Sequence, residues 1–423
     1  MPQHEQTAFL PVLGAVLRNT ITRGTLTIID SRGGVASFGD GDPLPSATIR
    51  FHNRWLPLKI AINPALAVGE AYMRGQLTIE QGSLSSFLAV AMGQHDQIPD
   101  SAFAHIMAQA AKWTMRALGG NNRRRAARNV AHHYDLSAEF YALFLDANMH
   151  YSCAYFAEGT ETLEAAQAAK VRHIAAKLCL SPGQAVLDIG SGWGSLALAL
   201  AQLGKVRVKG VTLSAEQLAV ARARARDACA SHEVVFELED YRDVVGNFDR
   251  IVSVGMLEHV GFSQFDGYFS KVADLLATDG VALIHAIGRW DENPGTDAWT
   301  ERYIFPGGYI PSLSEVIPAI ERSGLMVTDV EILRLHYAET LHHWSQRFAV
   351  NRAAAQAMYG DEFCRMWEFY LGAAEMSFRE RPLMVFQIQL THRRDAVPLT
   401  RDYITTAEAR LSASTQRRGA KTA

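Results

Sequence analysis

The pattern of apolar runs predicts an α/β fold, a parallel sheet with helices on both faces, preceded by a small α+β domain. After Tyr134, short apolar runs alternate with helical stretches, the pattern of a sheet whose strands are buried on both faces. One such run ends in a glycine-rich turn that opens a helix. Before residue 80 the pattern differs: short strand-like runs are separated by Gly- and Pro-bearing turns.

In chain order, Thr25–Ile29 and Ala47–Phe51 read as strands, and Gln76–Glu80 alternates polar and apolar as a half-buried strand does. From Ser101 to Tyr134 the chain carries Lys112, Arg116, Arg123, Arg124, Arg125 and Arg128 without one Asp or Glu. Phe103, Ile106, Met107, Ala110 and Trp113 recur at helical spacing there, and Gly119 to Asn122 break the pattern. This segment is either a solvated basic connector or an interfacial element whose arginines meet anionic lipid head groups. No element suited to reading nucleic acid accompanies the charge. A helix is expected over Thr162 to Leu178. Strands are expected at Ala185–Ile189, Val206–Thr212, Val234–Leu238, Ile251–Val254 and Val281–Ile287. Two more, Val327–Leu335 and Leu383–Leu390, flank a long helical segment, and the polar tail from Thr415 is expected to be disordered. The resulting division is an α+β domain over 1–115, a basic linker over 116–133, an α/β domain over 134–395 and a polar tail over 396–423.

The 423 residues have room for two domains, and a net charge of -3 gives no global pull toward nucleic acid. The four cysteines are scattered without a C-x-x-C pair, which argues against a disulfide framework or a zinc site and for a reducing, cytoplasmic setting. MPQHEQTAFL lacks the charged-then-apolar layout of a secretion signal. No apolar run approaches the ~20 residues that span a bilayer, so membrane is expected to be met from the side.

The sharpest motif is Val186-Leu187-Asp188-Ile189-Gly190-Ser191-Gly192-Trp193-Gly194. Glycines at such a strand-to-helix turn let a ligand approach the backbone, and the helix start offers free amides. Ser195 stands where the dinucleotide pattern G-x-G-x-x-G needs its third glycine, which counts against NAD or FAD. Asp188, two residues before Gly190, is placed to meet the methionine ammonium of S-adenosylmethionine. The second strand ends in Thr212 without an acid, so Thr212 and Gln217 are the candidates for ribose. Asp240 and Tyr241, after the third strand, suit the adenine amino group and ring face, although loop residues of this kind also occur without a ligand.

Taken together, the motifs resemble the cyclopropane-fatty-acyl-phospholipid synthase family, which includes the mycolic acid cyclopropane synthases. The matching segments run from His133-Tyr134-Asp135-Leu136 and Tyr151-Ser152-Cys153-Ala154-Tyr155-Phe156 through the glycine turn to Asp240-Tyr241-Arg242-Asp243. They continue with Glu258-His259-Val260-Gly261, His285-Ala286-Ile287-Gly288, Tyr303-Ile304-Phe305-Pro306-Gly307-Gly308 and His336-Tyr337-Ala338-Glu339-Thr340-Leu341. The N-terminal domain resembles the first domain of the bacterial phospholipid enzymes. The resemblance implies a Rossmann-like class I methyltransferase domain with an added lipid-binding domain. The implied reaction moves a methyl group from S-adenosylmethionine to a cis double bond of a phospholipid acyl chain. Proton loss from the new methyl then closes a cyclopropane ring, with bound bicarbonate as base. It further implies Tyr151 and Ser152 as cofactor contacts, and a bicarbonate pocket of the Cys153 and Ile287 backbones with the Glu258, His285 and Tyr337 side chains. A peripheral enzyme on the inner face of the cell membrane, acting on unsaturated phospholipid and able to form a homodimer, is the expected setting.

Residue chemistry agrees. An alkene is a weak nucleophile, so the site must align the sulfonium methyl and exclude water that would trap the cation. Aromatic faces stabilise a cation without reacting with it, which suits Tyr155, Phe156, Tyr303 and Phe305. Each residue also has a plainer role open to it: Cys153 as a small buried hydrophobe, Glu258 as half of a buried pair, His285 and Tyr337 as satisfied core residues. His132-His133 and His342-His343 lack the further ligands a metal needs. Two other functions remain: methyl transfer that leaves a branched acyl chain, and a catalytically inactive lipid-binding protein.

Overall fold

The computed structural model describes residues 10–42, 44–93, 136–291 and 296–422, so the basic segment from Ser101 to Tyr134 lies outside the described residues. The described chain falls into two compact units. One takes the residues up to 93 together with 296–306 and 338–383; the other takes 136–291, 307–337 and 384–422.

The first unit holds four strands, β1 (Thr25–Ile29), β2 (Val35–Gly39), β3 (Ser46–Phe51) and β4 (Leu77–Gln81), in the order β2-β1-β3-β4. Leu26, Ile28, Ala47, Ile49 and Phe51 alternate into the core while their neighbours face out, as the period of two requires. Helices α1 (Leu10–Thr20), α2 (Leu56–Ile62), α3 (Pro64–Met73) and α4 (Leu84–Met92) accompany the sheet, and Ser83 caps α4 by accepting from the Ser86 amide at 3.0 Å. Helix Asp361–Glu380 packs on α3 and α4 and buries Cys364, Trp367, Leu371 and Phe378. Trp299, in helix Ala298–Tyr303, lies directly on α3: a Cβ added at Gly69 would stand 2.4 Å from its ring. The uninterrupted 134–395 domain expected from the sequence is therefore broken twice, because these later helices bury their apolar faces against α3 and α4.

The second unit is built on seven strands: β5 (Ala185–Ile189), β6 (Arg207–Thr212), β7 (Val234–Leu238), β8 (Phe248–Val254), β9 (Leu276–Arg289), β10 (Met326–Leu333) and β11 (Leu383–Thr391). Their order is β10-β11-β9-β8-β5-β6-β7. Strands β5 to β9 pair in parallel, whereas β10 and β11 pair antiparallel, so the sheet expected to be parallel is mixed at one edge. Leu187 and Ile189 enter the core on one face of the sheet and Val186 the core on the other. Helix α5 (Leu163–Lys177) starts at the Thr162 cap and ends at Leu178, within the expected span. Helices α6 (Ser195–Gly204) and α7 (Ala215–Asp227) follow β5 and β6.

The expectation of a disordered tail is corrected: Asp402–Thr422 is a helix, α8. Its polar sequence reads as solvated, but Ile404 is buried and Glu408 bonds His173 of α5 at 2.6 Å, so tertiary contacts hold the first turns of the helix. No helix among the described residues is long and apolar enough to cross a membrane.

Candidate active site

Strand β5 has β6 on one side and β8 on the other, so the connections leave it in opposite directions and open a crevice beyond its C-terminal end. The glycine turn sits there. Gly192, at φ 52, would point an added Cβ into open space, whereas a Cβ at Gly194 would meet Phe236 at 2.7 Å and Ala221 at 2.8 Å. The turn thus divides its labour: Gly190 and Gly192 line a cleft of about 180 Å³, and Gly194 lets α6 close on the neighbouring elements.

Asp188 lines the cleft, fully buried, with Oδ2 lacking a hydrogen-bond partner. Burial pushes its carboxyl up to about 7, against the pull of Lys170. Lys170, which sequence reasoning missed, also lines the cleft; its Nζ donates to Ser152 Oγ at 3.0 Å, and burial brings its pKa down to about 8. A buried carboxylate and a buried ammonium beside a glycine cradle fit the amino-acid end of S-adenosylmethionine. Tyr151, Ser152, Thr212 and Gln217 line the same cleft, with Thr212 Oγ1 donating to Gln217 Oε1 at 3.0 Å. Asp240 and Tyr241 line it as well. Arg242 donates to both Asp240 oxygens, at 2.8 and 2.6 Å, and the Tyr241 ring meets Tyr268 edge-on at 5.3 Å.

Beside this cleft, parallel pairing aligns Val254 of β8 with His285 of β9. Glu258 lies in the single turn Leu257–His259 that follows β8, and its Oε1 accepts from the Ile287 amide at 2.6 Å. The other oxygen, Oε2, is buried without a hydrogen-bond partner, and burial pushes the carboxyl up to about 7. His285 is held neutral: burial and the nearby Lys170 and Lys177 lower its pKa to about 3. Gln387 Nε2 donates to His285 Nδ1 at 3.1 Å, which leaves the imidazole proton on Nε2. The structure thus joins Glu258 to the Ile287 amide, and His285 lies two residues before Ile287 on the same strand. Cys153 is buried with its thiol directed to the Ala154 carbonyl at 3.2 Å, and Tyr337 is buried in the first turn of helix His336–Val350. None of these five lines the cofactor cleft, but Met256 and His259, on either side of Glu258, do.

Tyr155 departs from expectation. Its ring stacks on His173, at 4.3 Å, and on His336, at 4.9 Å, so imidazoles already engage it. Tyr303 belongs to the first unit, where its hydroxyl donates to Glu70 at 2.8 Å; Phe305 lies there too, against Tyr370.

The profile of the mycolic acid cyclopropane synthetase family matches residues 121–388. The chain belongs to this family. A domain of unknown function (DUF7884) matches residues 20–102. The Escherichia coli K12 cyclopropane-fatty-acyl-phospholipid synthase is 36% identical over 363 residues, covering 85% of this chain and 90% of that protein. The Mycobacterium tuberculosis tuberculostearic acid methyltransferase UfaA1 is 35% identical over 389 residues, covering 89% and 90%. In structure, mycolic acid cyclopropane synthase CmaA1, complexed with S-adenosylhomocysteine (SAH) and CTAB, superposes with a TM-score of 0.59 at 34% identity, covering 62% of this chain and 97% of that one. This cyclopropane synthetase family member is an S-adenosylmethionine-dependent methyltransferase that modifies lipid acyl chains.

Proposed function

We propose that the enzyme converts cis double bonds of phospholipid acyl chains to cyclopropanes, working from the cytoplasmic face of the membrane. The observation that carries this is Glu258, a buried carboxyl held by the Ile287 amide, with its other oxygen buried and unsatisfied. Methyl transfer forms a bond between the methyl carbon and one alkene carbon, and the C–S electrons leave on sulfur. The other alkene carbon is then cationic, and ring closure needs a proton removed from the new methyl.

Bicarbonate, when bound, supplies the base for that proton. The residues present fit such an anion. Glu258, at about 7, is able to carry a proton and donate it from Oε2, and neutral His285 donates from Nε2. The Ile287 amide holds Glu258 in place through Oε1, which leaves Oε2 as the oxygen that would face the anion. Cys153 and Tyr337 complete the proposed set. Lys170 and Asp188 anchor the cofactor so that its sulfonium is held while water is excluded.

A branched product is the second possibility, favoured by the match to the tuberculostearic acid methyltransferase. Vesicles of cis-unsaturated phospholipid incubated with methyl-trideuterated S-adenosylmethionine separate the two by mass spectrometry. A cyclopropane keeps two of the three deuterons and leaves no double bond. A branched product formed from the cation by proton loss keeps a double bond, which mild hydrogenation reveals, and a saturated branch would need a hydride donor added to the assay. No consumption of the methyl donor would indicate an inactive lipid-binding protein.

A further inference from the structure

We infer that His150, oriented by Asp146, is a further cofactor-binding residue that accepts a hydrogen bond from the α-ammonium of S-adenosylmethionine. This rests on the placement of the cofactor's amino-acid end beside Lys170 and Asp188, and it is independent of the acyl product. His150 lines the same cleft as those two residues. It is 8% exposed, and its Nε2 is buried without a hydrogen-bond partner. The other ring nitrogen, Nδ1, is already engaged, 2.9 Å from Asp146 Oδ2. A buried imidazole nitrogen left bare is costly unless a ligand engages it.

The local chain fixes that ring. The Met149 amide donates to the Asp146 carbonyl at 2.7 Å, and Met149 takes a left-handed conformation at φ 59. The Asp146 side chain accepts from the Asn148 amide at 3.1 Å and from the His150 amide at 2.8 Å. Burial opposes a charge on Asp146, but its bonds with His150 outweigh that and lower its pKa, so it is a carboxylate that can only accept. His150 therefore carries its proton on Nδ1, which leaves a lone pair on Nε2. Burial, helped by Lys170 and Arg224, outweighs the pull of Asp146 and lowers the His150 pKa, so the ring is neutral. The amino-acid end of the cofactor offers a carboxylate and an ammonium. A lone pair repels the first and accepts an N–H from the second. Lys170 suits the carboxylate, and its charge is felt by His150, Asp146 and Asp188 alike, which sets these groups around one end of the cleft. Asp188 Oδ2 alone does not satisfy every N–H of an ammonium, and His150 Nε2 supplies a second buried acceptor.

The test titrates the full-length protein with SAH and with deaminated SAH, the adenosyl thioether of mercaptobutyric acid, in a calorimeter. The wild type is expected to bind SAH at least about tenfold more tightly. His150→Phe keeps the ring and removes the acceptor. It should bind SAH about tenfold more weakly than the wild type and the deaminated ligand equally well. His150→Gln, whose amide oxygen reaches the place of Nε2, should keep SAH affinity within about threefold. Asp146→Asn presents an N–H to Nδ1 and so moves the ring proton to Nε2; it should lose SAH affinity as His150→Phe does. Should these variants fold poorly, the imidazole nitrogen resonances of the wild type decide: the Nε2 signal of His150 should move upfield when SAH binds and stay in place with the deaminated ligand. Equal weakening of both ligands by His150→Phe would make His150 a packing residue and overturn the proposal. A preference for SAH that His150→Phe retains in full overturns the His150 contact alone, whereas a wild type indifferent to the amino group overturns the Asp188 assignment with it.

Discussion

Lys170 and Asp188 occupy the cofactor cleft as opposite charges, each shifted by burial toward its neutral form. Such groups are stabilised when a ligand brings the complementary charges, and the methionine end of the cofactor brings both a carboxylate and an ammonium. Lys170→Met should therefore weaken SAH binding by about tenfold to a hundredfold, measured by calorimetry. Methylthioadenosine, which lacks the amino-acid end, should bind the variant and the wild type alike. Wild-type affinity for SAH should fall as pH rises through about 8, where Lys170 loses its proton, and the variant should not share that fall. Equal weakening of both ligands would make Lys170 a packing residue only. The sequence did contain its signal. Leu163, Ala166, Lys170, Val171, Ile174 and Lys177 share one helical stripe, and a lysine inside an apolar stripe must be paired or used. The candidate cofactor residues that were legible lie on the glycine turn and at strand ends, where local pattern and chemistry coincide, and all but Gly194 line the cleft.

At the scale of elements, the glycine turn gives two substitutions of opposite consequence. Both positions have positive φ, so an alanine strains either one. At Gly194 the new Cβ would also stand 2.7 Å from Phe236, so Gly194→Ala should destabilise the fold by about 1–3 kcal/mol in denaturant titration. At Gly192 the Cβ projects into open space, so Gly192→Ala should lose cofactor affinity more than stability. The expectation fails if Gly192→Ala unfolds as readily as Gly194→Ala. The limits of α5 and the burial of β5 were readable because caps and apolar runs are local. Helix α8 was not: its side chains are polar, and what orders it is distant in sequence. His173 bonds Glu408 at one nitrogen and Glu331 at the other, at 2.6 and 2.7 Å. Burial opposes a charged His173, but these two carboxylates outweigh it and raise the pKa. The same imidazole covers one face of Tyr155, a contact that spacing along the chain could not reveal.

Across the whole molecule, the alternation of strands and helices revealed the fold class but not which helices belong to which unit. Residues 296–306 and 338–383 interrupt the α/β unit and join the N-terminal unit, because apolar helix faces do not announce their partners. The antiparallel β10–β11 edge escaped notice for a similar reason: strand direction follows from the connection, and a long helical segment permits either. Glu258, His285 and Ile287 were candidates from the family's motifs, and the structure adds that Glu258 is bonded to Ile287 and buried apart from the cofactor cleft. That separation is the most exposed point of the account. The direct measurement is the Glu258→Gln variant, assayed for turnover on unsaturated phospholipid vesicles and for SAH affinity by calorimetry. Turnover should fall by roughly a hundredfold or more while affinity stays at the wild-type value. A loss of affinity in step with turnover would place Glu258 in cofactor binding and contradict the proposed chemistry.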